Sequence, residues 1–101
     1  MHYDIRALYR QTPAHGDTVT VSGWVRTLRD SKAFAFIELN DGTFFKNVQI
    51  VCDESLANFK EVVKTTLGSA LTIEGTLVHT PKMKQPFEIH ADNVILEGAS
   101  T

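Results

Sequence analysis

The sequence is poor in the residues that crosslink a chain or carry it into a membrane. Among its 101 residues Cys52 is the single cysteine, which excludes a disulfide framework and a cysteine zinc site within one chain. No apolar run approaches the roughly 18 residues of a membrane span, and the N-terminal residues do not show the apolar segment of a secretory signal peptide. We therefore expect a cytoplasmic protein without a membrane partner.

A surplus of positive charge is also missing. The chain carries 10 basic and 12 acidic side chains, which gives a net charge of −2. Proteins that bind duplex DNA through its phosphates usually show a strong basic excess, so the sequence argues against a duplex-DNA-binding protein. Recognition of a few nucleotides by stacking and hydrogen bonding needs no such excess and stays open.

Five segments of alternating polarity predict strands. They begin near Thr18, Ala33, Asn47, Ala70 and Phe87, and Gly23 and Gly75 mark a bulge or bend in the first and fourth. Between the third and fourth strands the apolar spacing becomes helical over residues 56–67, with Asp53 or Ser55 as N-cap and Gly68 after its end. A short helix over residues 4–10 precedes the strands. This order predicts an all-β fold, a five-stranded OB-fold Greek-key barrel with a helix between strands three and four and a short N-terminal helix.

The stretch FAFIELNDGTFFKNVQIV, residues 34–51, carries the main functional signal. Ala35, Ile37 and Leu39 share one strand face, so Phe34 and Phe36 fall on the other. In an OB-fold the outer face of strands two and three binds the ligand, and the same alternation turns Gln49 outward beside Phe36. Two interpretations of the aromatic rings remain open at this point: a surface on which a base stacks, or packing beneath a loop. Gln49 by itself is also compatible with a solvated strand residue.

Basic side chains cluster in the two loops that border this face. They are Arg26, Arg29 and Lys32 near the end of the first strand, and Lys82 and Lys84 between the fourth and fifth. Solvation of loops is the alternative explanation for these charges. The four histidines lack metal-ligand spacing, and Glu88, His90 and Asp92 are interpreted as the exposed polar face of a terminal strand. We therefore expect no catalytic residue and no metal site.

The motif VSGWVRTLRDSK (21–32), followed by FIELNDGTFFKNVQIV (36–51), resembles the N-terminal anticodon-binding domain of class IIb aminoacyl-tRNA synthetases, the aspartyl, asparaginyl and lysyl enzymes. The sequence is most similar to the asparaginyl branch. The pieces that carry this similarity are NDGTFFKNVQIV, GTLVHTP (75–81) and FEIHADNV (87–94). The long 41–47 connection departs from the aspartyl pattern.

The resemblance implies roles for individual residues. Phe36 is expected to stack on the central uridine of a tRNA anticodon, and Gln49 to hydrogen-bond that uridine. Arg29 is expected to contact the anticodon loop, and Glu88 to lie near the first anticodon base. The implied partner is therefore tRNA.

The resemblance also implies that this chain is one domain of a larger protein, in which catalysis belongs to a separate domain. Residues 1–17 are expected to form a helix and turn and residues 18–98 the anticodon-binding barrel, and residues 99–101 are expected to begin a hinge to a catalytic domain. No cofactor is expected in this domain, because ATP and magnesium belong to the catalytic domain of a parent asparagine–tRNA ligase, which is expected to be a homodimer. Three alternatives remain: an aspartyl-type anticodon-binding domain, a general single-strand-binding OB module, and a protein-interaction OB domain that docks through Phe34 and Phe36.

Overall fold

The computed structural model describes residues 2–31, 33–83 and 85–98. Within these ranges the chain forms six strands and two helices. In chain order they are β1 (His2–Tyr3), α1 (Ile5–Arg10), β2 (Thr18–Ser31), β3 (Phe34–Asn40), β4 (Val48–Asp53), α2 (Phe59–Val62), β5 (Ala70–His79) and β6 (Phe87–Gly98). None of the helices formed by the described residues is long and apolar enough to cross a bilayer.

The strands β2 to β6 close into a barrel. Their order in the sheet is β2-β3-β4-β6-β5, and β5 pairs back onto β2. The pairing of β4 with β6 is parallel, whereas the other four pairings of the barrel are antiparallel. The predicted five-stranded OB-fold is therefore confirmed. The two-residue strand β1, which was not predicted, adds to the outside of the barrel by pairing in parallel with β2.

Barrel closure depends on β2, which pairs with a different strand along each half of its length. Its first half, from Thr18 to Trp24, pairs with β5, and its second half, from Trp24 to Ser31, pairs with β3. Gly23 lies at the changeover, where an added Cβ would sit 2.4 Å from the Asn40 carbonyl oxygen. A side chain does not fit there, so the glycine lets two strands approach closely. The predicted bulge follows just beyond it, where the register shifts between Val25 and Thr27.

Alternating residues of every barrel strand fill a single core. Ala35, Ile37 and Leu39 of β3 are fully buried, as are Ile50 and Cys52 of β4. The predicted phase of both strands is therefore confirmed, because the intervening residues point away from this core. The other fully or almost fully buried apolar residues of the five strands are Val19, Val21, Val25, Val48, Leu71, Ile73, Leu77, Phe87, Ile89 and Val94.

Helix α1 closes one side of the same core. The Asp4 side chain accepts a hydrogen bond from the Ala7 amide at 2.6 Å and caps the helix as predicted, while Ile5 and Leu8 are fully buried. The connection between β3 and β4 docks against this helix. The Asp41 carboxylate accepts from the Ile5 amide at 2.9 Å, and the Tyr9 hydroxyl donates to the Asn47 carbonyl at 2.6 Å.

The second helix is shorter than its apolar spacing predicts. It covers Phe59–Val62 and begins after Asn58, so the prediction of a helix over residues 56–67 capped by Asp53 or Ser55 is wrong. The Asp53 carboxylate instead accepts from the Ser55 amide at 2.9 Å, a local turn that competes with helix initiation. At the other end the Gly68 amide donates to the Val25 carbonyl at 2.8 Å, which draws the chain onto β2.

The close approach at Gly23 is testable by substitution. Gly23→Ala places a methyl group against the backbone of β3, so we expect a loss of about 2–3 kcal/mol in the free energy of unfolding in urea. Gly98→Ala is the matched control, because no heavy atom lies within 4 Å of the added Cβ there. Equal stability of the two variants would contradict the assigned close packing of β2 on β3.

Candidate nucleic-acid interface

The outer face of the barrel carries a row of side chains that runs across four strands. The pairing register places Arg29 of β2 opposite Phe36 of β3, Phe36 opposite Val51 of β4, and Val51 opposite His90 of β6. Directly opposed residues in a sheet have neighbouring side chains on the same face. The row is therefore a continuous strip of cation, aromatic ring, aliphatic group and imidazole.

Phe34 and Phe36 form the aromatic platform of this face. Their ring centroids are 6.3 Å apart and their planes are inclined by 24°. The Arg29 guanidinium carbon lies over the Phe36 ring, 5.5 Å from its centroid, in a cation–π arrangement. Phe36 is half-buried and Phe34 is 44% exposed. Two neighbours therefore restrain the Phe36 ring, while part of its surface stays open to a planar ligand.

Gln49 lies beside the platform in a diagonal relation to Phe36. Its direct partner across the β3–β4 ladder is Glu38, and Val51 stands opposite Phe36. Diagonal neighbours in an antiparallel pair are about 7–8 Å apart, within reach of long side chains and of a ligand that touches both. The structure thus brings together Arg29, Phe36 and Gln49.

Glu88 joins this group through the parallel pairing of β4 with β6. The Gln49 Nε2 donates to the Glu88 Oε2 at 2.9 Å, and the other carboxylate oxygen, Oε1, lies 2.9 Å from the His90 Nε2. The side chain of Glu88 is only 13% exposed and that of His90 is 49% exposed. The interpretation of Glu88 as part of a merely solvated polar face is therefore wrong. The signal that sequence reasoning missed is the β4–β6 pairing, which an OB-fold topology already contains.

A concavity of about 450 Å³ opens next to the platform. Phe34, Val51 and His90 line it together with two carboxylates, Asp53 and Asp92. Hydrogen bonds from the Ser55 hydroxyl and amide lower the pKa of Asp53, so this carboxyl is ionised at neutral pH. Two carboxylates repel phosphate and accept hydrogen bonds, so the concavity suits the amino or imino groups of a base.

The remaining predicted cations are dispersed. Arg26 lies at the register shift of β2 and borders a shallow depression with Trp24 and Leu67, apart from the platform. Lys82 is exposed on the turn between β5 and β6. Lys32 and Lys84 lie outside the described residues. Arg29 is thus the cation that the described part of the chain brings onto the Phe36 ring.

The face offers groups that can stack on a ligand and hydrogen-bond to it. Over residues 2–31, 33–83 and 85–98, no three His, Cys, Asp or Glu side chains are grouped in a way that could hold a metal ion. Burial raises the pKa of the Cys52 thiol to about 12, so it is protonated at neutral pH and is a poor nucleophile. A restrained ring, an amide and a guanidinium can stack on, read and hold a nucleotide.

Comparison with known proteins agrees with this geometry. Residues 19–97 match the family model described as OB-fold nucleic acid binding domain, and the chain belongs to that family of nucleic-acid-binding domains. Its curated relatives are more specific. The chain is 62% identical over 97 residues to an asparagine–tRNA ligase of Alkaliphilus metalliredigens and 55% identical over 98 residues to that of Clostridium kluyveri. The resemblance to the asparaginyl branch is thereby confirmed.

These relatives are much longer than this chain. The matches cover 95% and 96% of the chain but 21% of each ligase, so the chain spans about a fifth of their length. A crystal structure of asparaginyl-tRNA synthetase from Pyrococcus horikoshii superposes with a TM-score of 0.77 at 22% identity, covering 86% of this chain and 21% of that one. This likeness shows the shared fold.

The outward position of Phe36 predicts how two adjacent substitutions differ. Phe36→Ala removes a half-buried ring outside the core and is expected to lower the free energy of unfolding by less than about 1.5 kcal/mol. Ile37→Ala, one residue along, leaves a cavity in the core and is expected to lower it by about 2–5 kcal/mol. Urea denaturation of both variants measures the difference. A larger loss for Phe36→Ala than for Ile37→Ala would mean that the phase of β3 is inverted.

Proposed function

We propose that this chain is a tRNA anticodon-recognition module that holds the central uridine of the anticodon on its outer face. The observation that carries the proposal is the Phe36 ring restrained beneath Arg29, with the Gln49 amide diagonal to it. The chain belongs to a nucleic-acid-binding family, and its relatives are named asparagine–tRNA ligases. Both facts favour tRNA as the ligand.

Stacking supplies the affinity in this proposal. The central uridine lies against Phe36, a contact worth roughly 1–3 kcal/mol per base in single-strand recognition. The exposed Arg29 side chain contacts the anticodon loop and neutralises phosphate charge there. Because the chain has a net charge of −2, local contacts such as these must outweigh a weak overall electrostatic repulsion of RNA.

Hydrogen bonding supplies the selectivity. Uridine presents an N3–H donor between two carbonyl acceptors, and the Gln49 amide offers one acceptor and one donor group in return. Glu88 lies next to Gln49 and faces the first anticodon base in the same proposal. Each of its oxygens already has one partner but can accept a second hydrogen bond, for example from the amino and imino groups of guanine.

The parent protein is proposed from the relatives. An asparagine–tRNA ligase about five times the length of this chain would carry ATP and Mg²⁺ in a separate catalytic domain and form a homodimer through it. A role in translation implies a cytoplasmic location. In that protein the present chain contributes recognition of tRNA and leaves amino-acid activation to the catalytic domain.

Titration of anticodon stem-loops into this chain tests the proposal. Stem-loops carrying GUU, GCU, GUC and an unrelated loop are compared at one near-physiological salt concentration, since affinity for RNA depends on salt. We expect GUU to bind more tightly than GCU, and Phe36→Ala to weaken binding of GUU by roughly 1–3 kcal/mol. Phe45→Ala is the matched control, because Phe45 is 81% exposed on the connection beyond the far end of β3.

The other outcomes identify the alternatives. Equal binding of all four stem-loops would make the chain a general single-strand binder. Preference for GUC over GUU would indicate an aspartyl-type domain. Absence of binding to any stem-loop would contradict the proposal and leave protein docking on Phe34 and Phe36 as the function of the platform.

A further inference from the structure

The amide of Gln49 is held in one of its two orientations. A glutamine side chain presents almost the same shape after a half-turn of its terminal amide, but donor and acceptor exchange places. In this structure the Glu88 Oε2 lies 2.9 Å from the Gln49 Nε2. A carboxylate accepts hydrogen bonds, so the amide group that faces it is the NH₂. In the flipped orientation two oxygens would meet at hydrogen-bond distance and repel each other.

The neighbours of Glu88 support this arrangement. Its side chain is 13% exposed, and its second oxygen is 2.9 Å from the His90 Nε2, which fixes the carboxylate from the other side. The other carboxylate next to Gln49 is Glu38, directly across the β3–β4 ladder. The Thr27 hydroxyl donates to the Glu38 Oε2 at 2.9 Å and ties that side chain to β2. Among the described contacts of Gln49, Glu88 is thus the carboxylate that accepts the hydrogen bond from its amide.

The direction of the free carbonyl follows from the sheet order. Strand β4 lies between β6, which carries Glu88, and β3, which carries Phe36. Because the amide is planar, an NH₂ that faces Glu88 puts the Gln49 Oε1 on the side away from β6, toward β3, where Phe36 is its diagonal neighbour. A base stacked on Phe36 would therefore meet a hydrogen-bond acceptor.

We propose that Glu88 is a positioning residue that sets base specificity by locking the Gln49 amide with its carbonyl oxygen toward the base. This inference rests on the proposed function. Uridine carries a hydrogen on N3 and can donate it to this oxygen. Cytosine has an unprotonated N3 acceptor at the same place, so it is rejected by the locked amide. An unlocked amide could turn over and donate to the cytosine N3, and discrimination would fall.

The test is the ratio of Kd for GCU to Kd for GUU stem-loops, measured at one salt concentration. Replacing the hydrogen bond from the uridine N3–H by two facing acceptors discriminates by about tenfold or more, so we expect a ratio of at least about 10 for the unmodified chain. In Glu88→Gln we expect the ratio to fall to about 3 or less, mainly because GCU binds more tightly. Glu38→Gln is the matched control. It removes the same charge from the other carboxylate next to Gln49, so it should change both Kd values alike and preserve the ratio.

A double variant separates positioning from direct contact. If Glu88 acts through Gln49, the ratio for Gln49→Ala with Glu88→Gln should equal that for Gln49→Ala alone. A further fall in the double variant would show that Glu88 reads the central base itself and would overturn the inference.

The outcomes distinguish this inference from the proposed function. Lack of a GUU preference in the unmodified chain would contradict both. A preference that Glu88→Gln keeps in full would overturn the locking role alone. If Glu88→Gln does not fold, the test is made on the unmodified chain. NMR then measures the chemical shift and the water exchange of the Gln49 side-chain amide protons. A carboxylate-bound NH₂ gives one shifted proton that exchanges slowly with water, whereas two equally fast-exchanging protons would overturn the inference.

Discussion

Closure of the barrel through a single shared strand governs where every functional side chain lies. Because β2 pairs with β5 before Trp24 and with β3 after it, with Gly23 at the close approach, the five strands enclose one apolar interior. The β3 residues that point into this interior are Ala35, Ile37 and Leu39. Because side chains alternate between the two faces of a strand, Phe34 and Phe36 then lie on the outer face, although aromatic residues are usually buried. The aromatic platform is thus a consequence of how the core is filled.

The same closure creates the polar half of the face. In a closed barrel β4 must pair with a second strand besides β3. That strand is β6, which pairs in parallel and places His90 opposite Val51. This pairing carries Glu88 to within hydrogen-bond distance of Gln49, 39 positions earlier in the chain. Among the described residues, the resulting surface brings the Arg29 guanidinium together with several carboxylates. Such a surface is better suited to reading the donors and acceptors of bases than to collecting phosphates, and this agrees with specificity obtained from few contacts.

The sequence predicted the features that depend on local alternation and missed those that depend on distant pairing. The inward phase of Ile37 and Ile50 and the cap at Asp4 follow from patterns a few residues long. The Gln49–Glu88 contact depends on which strands become neighbours, and no local pattern contains that information. At the end of the segment predicted to be helical, the Gly68 amide hydrogen-bonds to the Val25 carbonyl of β2, a tertiary contact that helical spacing does not contain.

If RNA binds the outer face of β3 and β4, the backbone amide signals of these strands should respond to it. These signals are followed by NMR while a GUU stem-loop is added to this chain. We expect the largest shifts at Arg29, Phe36, Gln49 and Val51, with little change at Phe45 and Lys46 on the connection that follows β3. Shifts concentrated on that connection, or spread evenly over the barrel, would contradict the assignment of Phe36 as the stacking surface.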